Sequence, residues 1–320
     1  MVFYRNFFIF HPRGYDTENN KRRANLPVEN NTPIAVCYAS DENYAPYMTV
    51  SIYSLMCNAD KSQQYEIIIL HRELSEQSKD KLLRLAEKFP NFTVRFADMS
   101  AVHDSVKDRI SSYITAATNY RLFLLGEDFK EYDRMVYIDS DTIVEGDISE
   151  LYDTDLGAKA IGAAEMVEAR HYIHTKKALF YEGQPYNFAD YCTKILEIKH
   201  IENYFNAGVI LFDLKRCRKL TADKAAVELL NRKKWIYNDQ DTLNILFNNS
   251  VKMLDLKWNY TQNIEQYCTS PKPKARELFR DAHRTGYGII HFISGQKPWK
   301  ADVPLGEHYH KYEKQLQEVI

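Results

Sequence analysis

Apolar, strand-like runs alternate with amphipathic helical segments in the first third of the chain, and this alternation restricts the possible folds more than any other feature. Residues 34–39, 65–71 and 92–96 are short and apolar, whereas residues 46–58 and 75–89 carry apolar residues at helical spacing. Strands separated by helices are joined by crossover connections, which place them parallel in one sheet with both faces covered. The sequence therefore predicts an α/β fold with a mostly parallel central sheet and helices on both faces.

Composition excludes several classes of protein. The 320 residues are 45% hydrophobic, and 42 Lys and Arg nearly balance 44 Asp and Glu, so no overall field favours nucleic acid as a partner. The five cysteines are odd in number and include no Cys-x-x-Cys pair, which argues against a disulfide framework or a zinc site and favours the cytoplasm. No apolar run approaches the roughly 20 residues that cross a bilayer.

The first part of the chain differs from the rest in composition. Residues 1–10 are apolar and aromatic, and residues 11–32 are rich in Asn, Pro and charge, so we place the domain at 33–320 after an N-terminal tail, 1–32. We expect this tail to be poorly ordered or packed at the edge of the domain; the alternative is a weak interfacial anchor helped by its basic residues. We therefore expect at most peripheral membrane association, at the inner face of the cell membrane.

A pair of carboxylates follows the apolar run at residues 135–138. On an extended backbone residues i and i+2 point the same way, so Asp139 and Asp141 converge beyond the end of a strand while Ser140 faces elsewhere. Two close anions repel unless a proton or a cation lies between them, and Mg²⁺ or Mn²⁺ takes carboxylate oxygens together with substrate phosphates. The alternative is an Asp-rich turn that caps the following segment.

Polar residues also follow the first predicted strand. Asp41 and Asn43 could hydrogen-bond a nucleobase or ribose, with Tyr44 stacked on the base, because strand ends line the ligand crevice of open α/β sheets. Asp41 could equally cap the next helix. Arg121, in a predicted helix over residues 118–125, is either a diphosphate clamp or a surface ion-pair partner.

The second half of the chain continues the alternation with less regular connections. Residues 148–155 are turn-like, and residues 166–203 are aromatic, rich in histidine and predicted to form an irregular insertion over the crevice. Asn206 lies in a predicted turn before an apolar strand. Asp239 and Gln240 begin a predicted helix, where capping explains one carboxylate but not the amide.

A short apolar strand near the end of the chain contains His291. A lone histidine in such a strand is usually a satisfied core residue. Here, however, a glycine turn and then Lys297 and Trp299 follow it, which suits a loop that folds over an anionic ligand.

Together these motifs resemble those of the retaining glycosyltransferases of family 8, which include bacterial lipooligosaccharide galactosyltransferases and glycogenin. The resemblance covers residues 33–300. The motifs occur in family order at residues 38–44 (YASDENY), 137–141 (YIDSD), 204–208 (YFNAG), 238–241 (NDQD) and 291–299 (HFISGQKPW). Each motif is weak alone, but the combination is specific.

The resemblance implies a single GT-A domain that binds a UDP-hexose donor, galactose or glucose, with Mn²⁺ as the usual metal and Mg²⁺ as an alternative. The implied acceptor is a glycan, a lipooligosaccharide or a glycoprotein. By their place in the family motifs, Asp139, Asp141 and His291 are implied as metal ligands, and Asp239, Gln240 and Asn206 as catalytic residues around the donor sugar. The implied donor-binding residues are Asp41, Asn43, Tyr44, Arg121, Ser140, Glu165 and Lys297.

The chain departs from the family pattern at Ser294, where relatives usually have glycine, and Gly295 follows one residue later. The difference affects the geometry of the turn and the contact that the backbone of this turn makes to phosphate in the family.

Two other functions compete with glycosyl transfer. A sugar-nucleotide pyrophosphorylase would need a Gly-rich loop after the first strand, and residues 40–44 contain no glycine. A non-catalytic nucleotide-sugar binding protein is the alternative function, since it would use the same site.

The chemistry of such a transfer constrains the mechanism. A UDP leaving group gathers negative charge as the sugar bond breaks, so a divalent ion and Lys297 would stabilise the transition state more than the ground state. Retaining hydrolases place a carboxylate nucleophile at the anomeric carbon, whereas Gln240 is a neutral amide and a poor nucleophile. We therefore expect a front-face mechanism, in which the acceptor attacks from the side on which UDP departs.

Overall fold

A seven-stranded sheet organises the chain, with helices packed on both of its faces. The computed structural model describes residues 32–106, 116–282, 286–293 and 295–320. The predicted tail, apart from Thr32, lies outside the described residues, as does Ser294. Residues Pro33–Ile320 form one compact unit. None of the helices among the described residues combines the length and the apolar character that crossing a bilayer requires.

The strands and helices alternate through the first half of the chain as predicted. The strands are β1 (Ile34–Ser40), β2 (Tyr65–His71), β3 (Phe92–Asp98), β4 (Arg134–Ile138), β5 (Thr142–Val144), β6 (Ile161–Glu165), β7 (Leu179–Tyr181), β8 (Gln184–Tyr186), β9 (Phe205–Asp213), β10 (Val251–Met253), β11 (Tyr260–Thr261) and β12 (Ile289–His291). The α-helices are α1 (Ala45–Asn58), α2 (Glu76–Glu87), α3 (Ser100–His103), α4 (Ile148–Tyr152), α5 (Glu168–Thr175), α6 (Phe188–Asp190), α7 (Leu214–Leu220), α8 (Asp223–Arg232), α9 (Asn238–Phe247), α10 (Gln262–Cys268), α11 (Pro273–Leu278) and α12 (Gly306–Val319). Arg121 lies in a 3-10 helix, Ala116–Leu125.

The central sheet has the strand order β10-β6-β9-β4-β1-β2-β3. β1 is parallel to β2 and β4, β2 is parallel to β3, and β6 is parallel to β10. β9 alone among these strands is antiparallel, to both β4 and β6, so the prediction of a mostly parallel sheet is confirmed. Because β9 runs in the opposite direction, it begins at the edge of the sheet where β1, β4 and β6 end.

The first strand shows why the core-forming segments are continuous apolar runs. Alternate residues of a strand face opposite sides of the sheet. Val36 and Tyr38 pack with residues of α1 and α12, whereas Ala35 and Cys37 pack with residues of the 3-10 helix, α8 and α9. Since both faces of β1 are covered, neither face can carry a polar side chain without loss of hydration.

A second, three-stranded sheet brings the end of the chain to the carboxylate pair. β12 is antiparallel to β5 and parallel to β11. His291 therefore lies opposite Thr142, the residue after Asp141. The Phe292 N–H donates to the Asp141 carbonyl at 3.0 Å. This pairing places His291 beside the turn that joins β4 to β5.

Three local predictions are wrong. Residues 148–155 contain α4, because the Asp147 side chain accepts the Ser149 N–H at 3.0 Å and caps a helix. Asn206 lies within β9 rather than in a turn, since β9 extends to pair with the end of β6. Residues 166–203 hold α5, the β7–β8 hairpin, α6 and a π-helix (Tyr191–Ile195), which are too short to show periodicity in the sequence.

Candidate active site

A cavity of about 190 Å³ opens at the edge of the central sheet where β1 and β4 end and β9 begins. Open α/β sheets bind their ligands at such an edge. Many of the predicted site residues line this cavity: Tyr44, Arg121, Asp139, Ser140, Asp141, Asn206, Asp239, Gln240, His291 and Lys297. The fold thus brings together residues from widely separated parts of the chain.

Asp139, Asp141 and His291 each offer one ligand atom to a common region of the cavity, and these atoms lie within 4.8 Å of one another. His291 Nε2 is 3.2 Å from Asp141 Oδ1 and 3.8 Å from Asp139 Oδ2. Two atoms at right angles around an ion bound at about 2.1 Å are about 3 Å apart, so this spacing fits a divalent cation. His291 is therefore a candidate ligand and not only a core residue.

Gly208 makes the close approach of these side chains possible. A Cβ at this position would lie 2.2 Å from His291 Cε1 and 3.0 Å from Asp139 Oδ2. The Gly208 carbonyl also accepts the Asp139 N–H at 2.7 Å. The residue at position 208 must lack a side chain for the imidazole and the carboxylate to converge, which is consistent with a site for a metal ion.

Lys297 pairs with Asp141 inside the cavity. Its ammonium group lies 2.5 Å from Asp141 Oδ2 and also donates to the Phe292 carbonyl. Burial opposes the ionisation of Asp141, but Lys297 and His291 outweigh burial and hold the pKa of this carboxyl well below its usual range. Asp141 is therefore an anion at neutral pH.

Arg121 is 2% exposed, so it is not a surface ion-pair partner. Its Nη2 donates to Asp139 Oδ1 at 2.8 Å, its Nη1 donates to the Ala207 carbonyl, and its Nε donates to the Thr118 carbonyl at 2.8 Å. Asp239 Oδ2 lies 2.9 Å from Nε and is held by charge rather than by a hydrogen bond. Through these contacts Arg121 positions the side chains of Asp139 and Asp239.

The two carboxylates that share Arg121 are difficult to ionise. Burial raises the pKa of Asp139; Arg121 opposes this shift, while the neighbouring Asp141 adds to it. Burial raises the pKa of Asp239 from 3.8 to about 6, again against the attraction of Arg121. A cation between Asp139 and Asp141 would relieve their repulsion, as in other sites built from paired carboxylates.

Asn206 and Gln240 reach the cavity from β9 and α9. Asn206 Oδ1 accepts the Gly208 N–H at 2.8 Å and the side-chain amide of Asn259 at 2.9 Å. Gln240 Oε1 accepts the Ala207 N–H at 3.1 Å. Backbone N–H groups near the beginning of β9 therefore hold both side chains in place.

Tyr44 joins an aromatic group at the mouth of the cavity. The rings of Tyr47 and Trp299 stack with centroids 3.8 Å apart, and Tyr44 meets Trp299 edge-on at 6.1 Å. These contacts fasten the segment after Lys297 to α1. Ser140 is buried, and its hydroxyl donates to a backbone carbonyl of β1 at 2.9 Å.

Three predicted donor-binding residues lie outside the cavity lining. Asp41 accepts the Tyr44 N–H at 2.9 Å in the turn that leads into α1, although the N-cap residue of this helix is Tyr44 and not Asp41. Asn43 is exposed to solvent. Glu165 is paired with Arg170, whose Nε donates to it at 3.0 Å.

Sequence reasoning missed several residues of the site. Thr118 and Tyr237 line the cavity. Asn259 contacts both His291 and Asn206. The only signal for Asn259 in the sequence is a single amide between two aromatic residues, and nothing in local periodicity relates it to a distant histidine.

The sequence model described as Glycosyl transferase family 8 matches residues 35–302. The chain belongs to this family. General stress protein A of Bacillus subtilis is 25% identical over 283 residues, which cover 85% of this family 8 chain and 90% of the relative. Lipopolysaccharide 1,2-glucosyltransferase of Escherichia coli is 24% identical over 267 residues, covering 82% of this chain and 72% of the relative. The predicted family is confirmed.

Solved structures show the same fold. The bifunctional glycosyltransferase WbbM superposes with a TM-score of 0.78 at 27% identity, covering 92% of this chain and 53% of that one. The galactosyltransferase LgtC, solved with donor and acceptor sugar analogues, superposes with a TM-score of 0.67 at 24% identity, covering 88% of this chain and 96% of that one. The predicted GT-A fold is confirmed.

Proposed function

We propose that this family 8 protein is a metal-dependent retaining glycosyltransferase that moves a hexose, galactose or glucose, from a UDP-sugar to an acceptor. The observation that carries the proposal is the convergence of Asp139, Asp141 and His291 in the cavity, with the Lys297 ammonium beside them. A diphosphate is bound best by a divalent cation together with a fixed positive charge. We propose Mn²⁺ as the cation, with Mg²⁺ as the alternative.

The proposed reaction first requires that the negative charge on the leaving group be stabilised. A bound divalent ion would neutralise the negative charge that gathers on the diphosphate as the sugar bond breaks. Lys297 adds a second positive charge, and its flexible stem allows the ammonium to turn from Asp141 to a phosphate oxygen. Lys297 is 3% exposed, and buried charges interact more strongly than exposed charges.

The residues on the sugar side support a mechanism without a covalent intermediate. Gln240 is a neutral amide whose oxygen is already held by the Ala207 N–H, and Asp239 is paired with Arg121. We propose that Asn206, Asp239 and Gln240 orient the donor sugar. The acceptor hydroxyl then attacks from the face on which UDP departs, and the leaving phosphate oxygen takes the acceptor proton.

The names of the relatives indicate which donors and acceptors to test. One relative is named lipopolysaccharide 1,2-glucosyltransferase and another, of Salmonella typhimurium, lipopolysaccharide 1,3-galactosyltransferase. A relative of Arabidopsis thaliana is named probable galacturonosyltransferase-like 4, which adds a UDP-hexuronate to the panel. We propose a glycan, lipooligosaccharide or glycoprotein acceptor, modified in the cytoplasm at the inner face of the membrane.

Release of UDP from UDP-galactose, UDP-glucose and UDP-galacturonate, with Mn²⁺, with Mg²⁺ or with EDTA, tests the proposal. We expect metal-dependent release from a UDP-hexose, and an α-linked product by NMR of the anomeric proton. Asp141→Asn should lower turnover by about 100-fold or more, since a metal ligand supplies several kcal/mol of transition-state stabilisation. Asp80→Asn, an exposed carboxylate of α2, is the matched control and should leave turnover unchanged.

Two results would contradict the proposal in different ways. An inverted anomeric configuration in the product would exclude the retaining front-face mechanism. Saturable, metal-dependent binding of a UDP-sugar with no UDP release, even with oligosaccharide acceptors present, would instead indicate a non-catalytic nucleotide-sugar binding protein.

A further inference from the structure

Asn259 lies between the candidate metal ligand His291 and the sugar-side residue Asn206. It is 1% exposed and ends the 3-10 helix Leu256–Asn259, just before β11. Its side chain lies 2.9 Å from His291 Nδ1 and 2.9 Å from Asn206 Oδ1. Asn259 does not line the cavity, so any effect it has on a ligand passes through these two neighbours.

The hydrogen bonds determine the orientation of each side chain in this series. The backbone N–H of Gly208 can only donate, and it lies 2.8 Å from the Asn206 side chain, so the atom it meets is the amide oxygen. The group of Asn259 that faces this same oxygen must then be its NH₂. The remaining atom of Asn259, its oxygen, faces His291 Nδ1 and can only accept, so Nδ1 carries a proton.

A proton on Nδ1 decides what the other ring nitrogen can do. A neutral imidazole has one N–H and one lone pair, so the lone pair is on Nε2. Nε2 is the atom that lies 3.2 Å from Asp141 Oδ1 and 3.8 Å from Asp139 Oδ2. The opposite tautomer would donate Nε2–H to the Asp141 carboxylate and could not bind a cation.

We propose that Asn259 is a positioning residue that holds His291 in the Nδ1–H tautomer and links the metal site to Asn206. Its oxygen orients the metal ligand, and its NH₂ orients a residue of the sugar site. The consequence for metal and donor binding rests on the proposed function, whereas the tautomer of His291 does not. Outer partners of metal-bound histidines typically change metal affinity by about 10- to 100-fold.

Two substitutions separate the two contacts of Asn259. Asn259→Leu removes both the acceptor for His291 and the donor to Asn206. Asn259→Asp keeps an oxygen for His291 Nδ1–H but places the other oxygen against Asn206 Oδ1, where two acceptors repel. Asn248→Leu is the control for the loss of a buried amide, because Asn248 is 3% exposed and hydrogen-bonds the backbone of His200.

The protonation of each ring nitrogen is measured directly by ¹H–¹⁵N NMR of ¹⁵N-histidine-labelled full-length protein, first without metal and then with Mg²⁺, which is diamagnetic. We expect a protonated Nδ1 for His291 in the wild type and in Asn248→Leu under both conditions, and an Nε2 without a proton once Mg²⁺ is bound. Asn259→Leu should move the proton to Nε2. Titration with Mn²⁺ should show an affinity about 10- to 100-fold lower for Asn259→Leu, and within about threefold of wild type or tighter for Asn259→Asp.

The link to Asn206 is measured as the ratio of the affinities for UDP-sugar and for UDP, which should fall in both Asn259 variants and not in Asn248→Leu. An Asn259→Leu protein that keeps Nδ1–H and the wild-type Mn²⁺ affinity would overturn the inference. So would a tenfold loss of Mn²⁺ affinity in Asn259→Asp, the variant to use if Asn259→Leu does not fold. A wild-type protein that binds neither Mn²⁺ nor Mg²⁺ would refute the proposed function, while the NMR result for Nδ1 would still decide the role of Asn259.

Discussion

Gly208 illustrates how a single residue determines whether the candidate metal site can form. A methyl group at this position would lie 2.6 Å from His291 Nδ1 as well as 2.2 Å from Cε1, well inside van der Waals contact. Because the ring is rigid and buried, it would have to turn away from Asp139 and Asp141. We expect Gly208→Ala to weaken Mn²⁺ binding by at least about 10-fold, measured by calorimetry, and to destabilise the fold by about 1–3 kcal/mol.

Gly306→Ala is the matched control for this prediction. A Cβ there would lie 3.4 Å from a side-chain carbon of Val303 and 3.7 Å from one of Pro298, which are ordinary contacts. The control should leave Mn²⁺ affinity unchanged. If Gly208→Ala bound Mn²⁺ as tightly as Gly306→Ala, His291 could not be a ligand in the geometry described.

At the scale of elements, the Asn244 side chain of α9 hydrogen-bonds both backbone groups of the first residue of β9. Asn244 accepts the Phe205 N–H at 2.9 Å and donates to the Phe205 carbonyl at 2.9 Å, and it also donates to the Gln240 carbonyl. Because Asn206 follows Phe205, the Asn244 side chain positions two of the proposed sugar-site residues, Asn206 and Gln240, relative to each other. Asn244→Ala would leave buried backbone groups unpaired, and we expect urea unfolding to show a loss of about 2–4 kcal/mol.

Asn248, the C-cap residue of α9 and four residues after Asn244, provides the control for Asn244→Ala. It accepts the His200 N–H at 3.0 Å and donates to the His200 carbonyl at 2.8 Å, but it holds a segment with no predicted site residue. Asn248→Ala should therefore lower stability while UDP-sugar affinity is maintained, whereas Asn244→Ala should lower both. Equal loss of UDP-sugar affinity in the two variants would show that the effect is general destabilisation.

At the scale of the whole molecule, the sequence predicts local elements better than the pairing between them. β1 and β2 could be predicted because burial on both faces leaves a continuous apolar run. The antiparallel direction of β9 could not, since a buried strand has the same pattern in either direction. The position of His291 beside Asp141 depends on the pairing of β12 with β5, and periodicity does not specify which strands pair; only the family resemblance indicated it. Burial of Arg121 likewise depends on tertiary packing.

The pH dependence of stability is a property of the whole molecule to which Asp241, in α9, contributes. It is fully buried, and burial raises its pKa from 3.8 to about 6, although the Tyr204 and Tyr191 hydroxyls donate to it at 2.6 and 2.7 Å. The folded state therefore holds this proton more tightly than the unfolded state.

The stabilisation from this proton is complete below pH 3.8 and is lost as the pH rises through about 6. Asp241→Asn cannot titrate, so the free energy of unfolding of the wild type should fall relative to that of the variant by about 2 kcal/mol between pH 4.5 and 7.5. Other titrating groups, including Asp239, are present in both proteins and largely cancel in the difference. Urea unfolding of both proteins at the two pH values measures the effect, and a difference that did not change with pH would show that Asp241 is ionised throughout in the folded state.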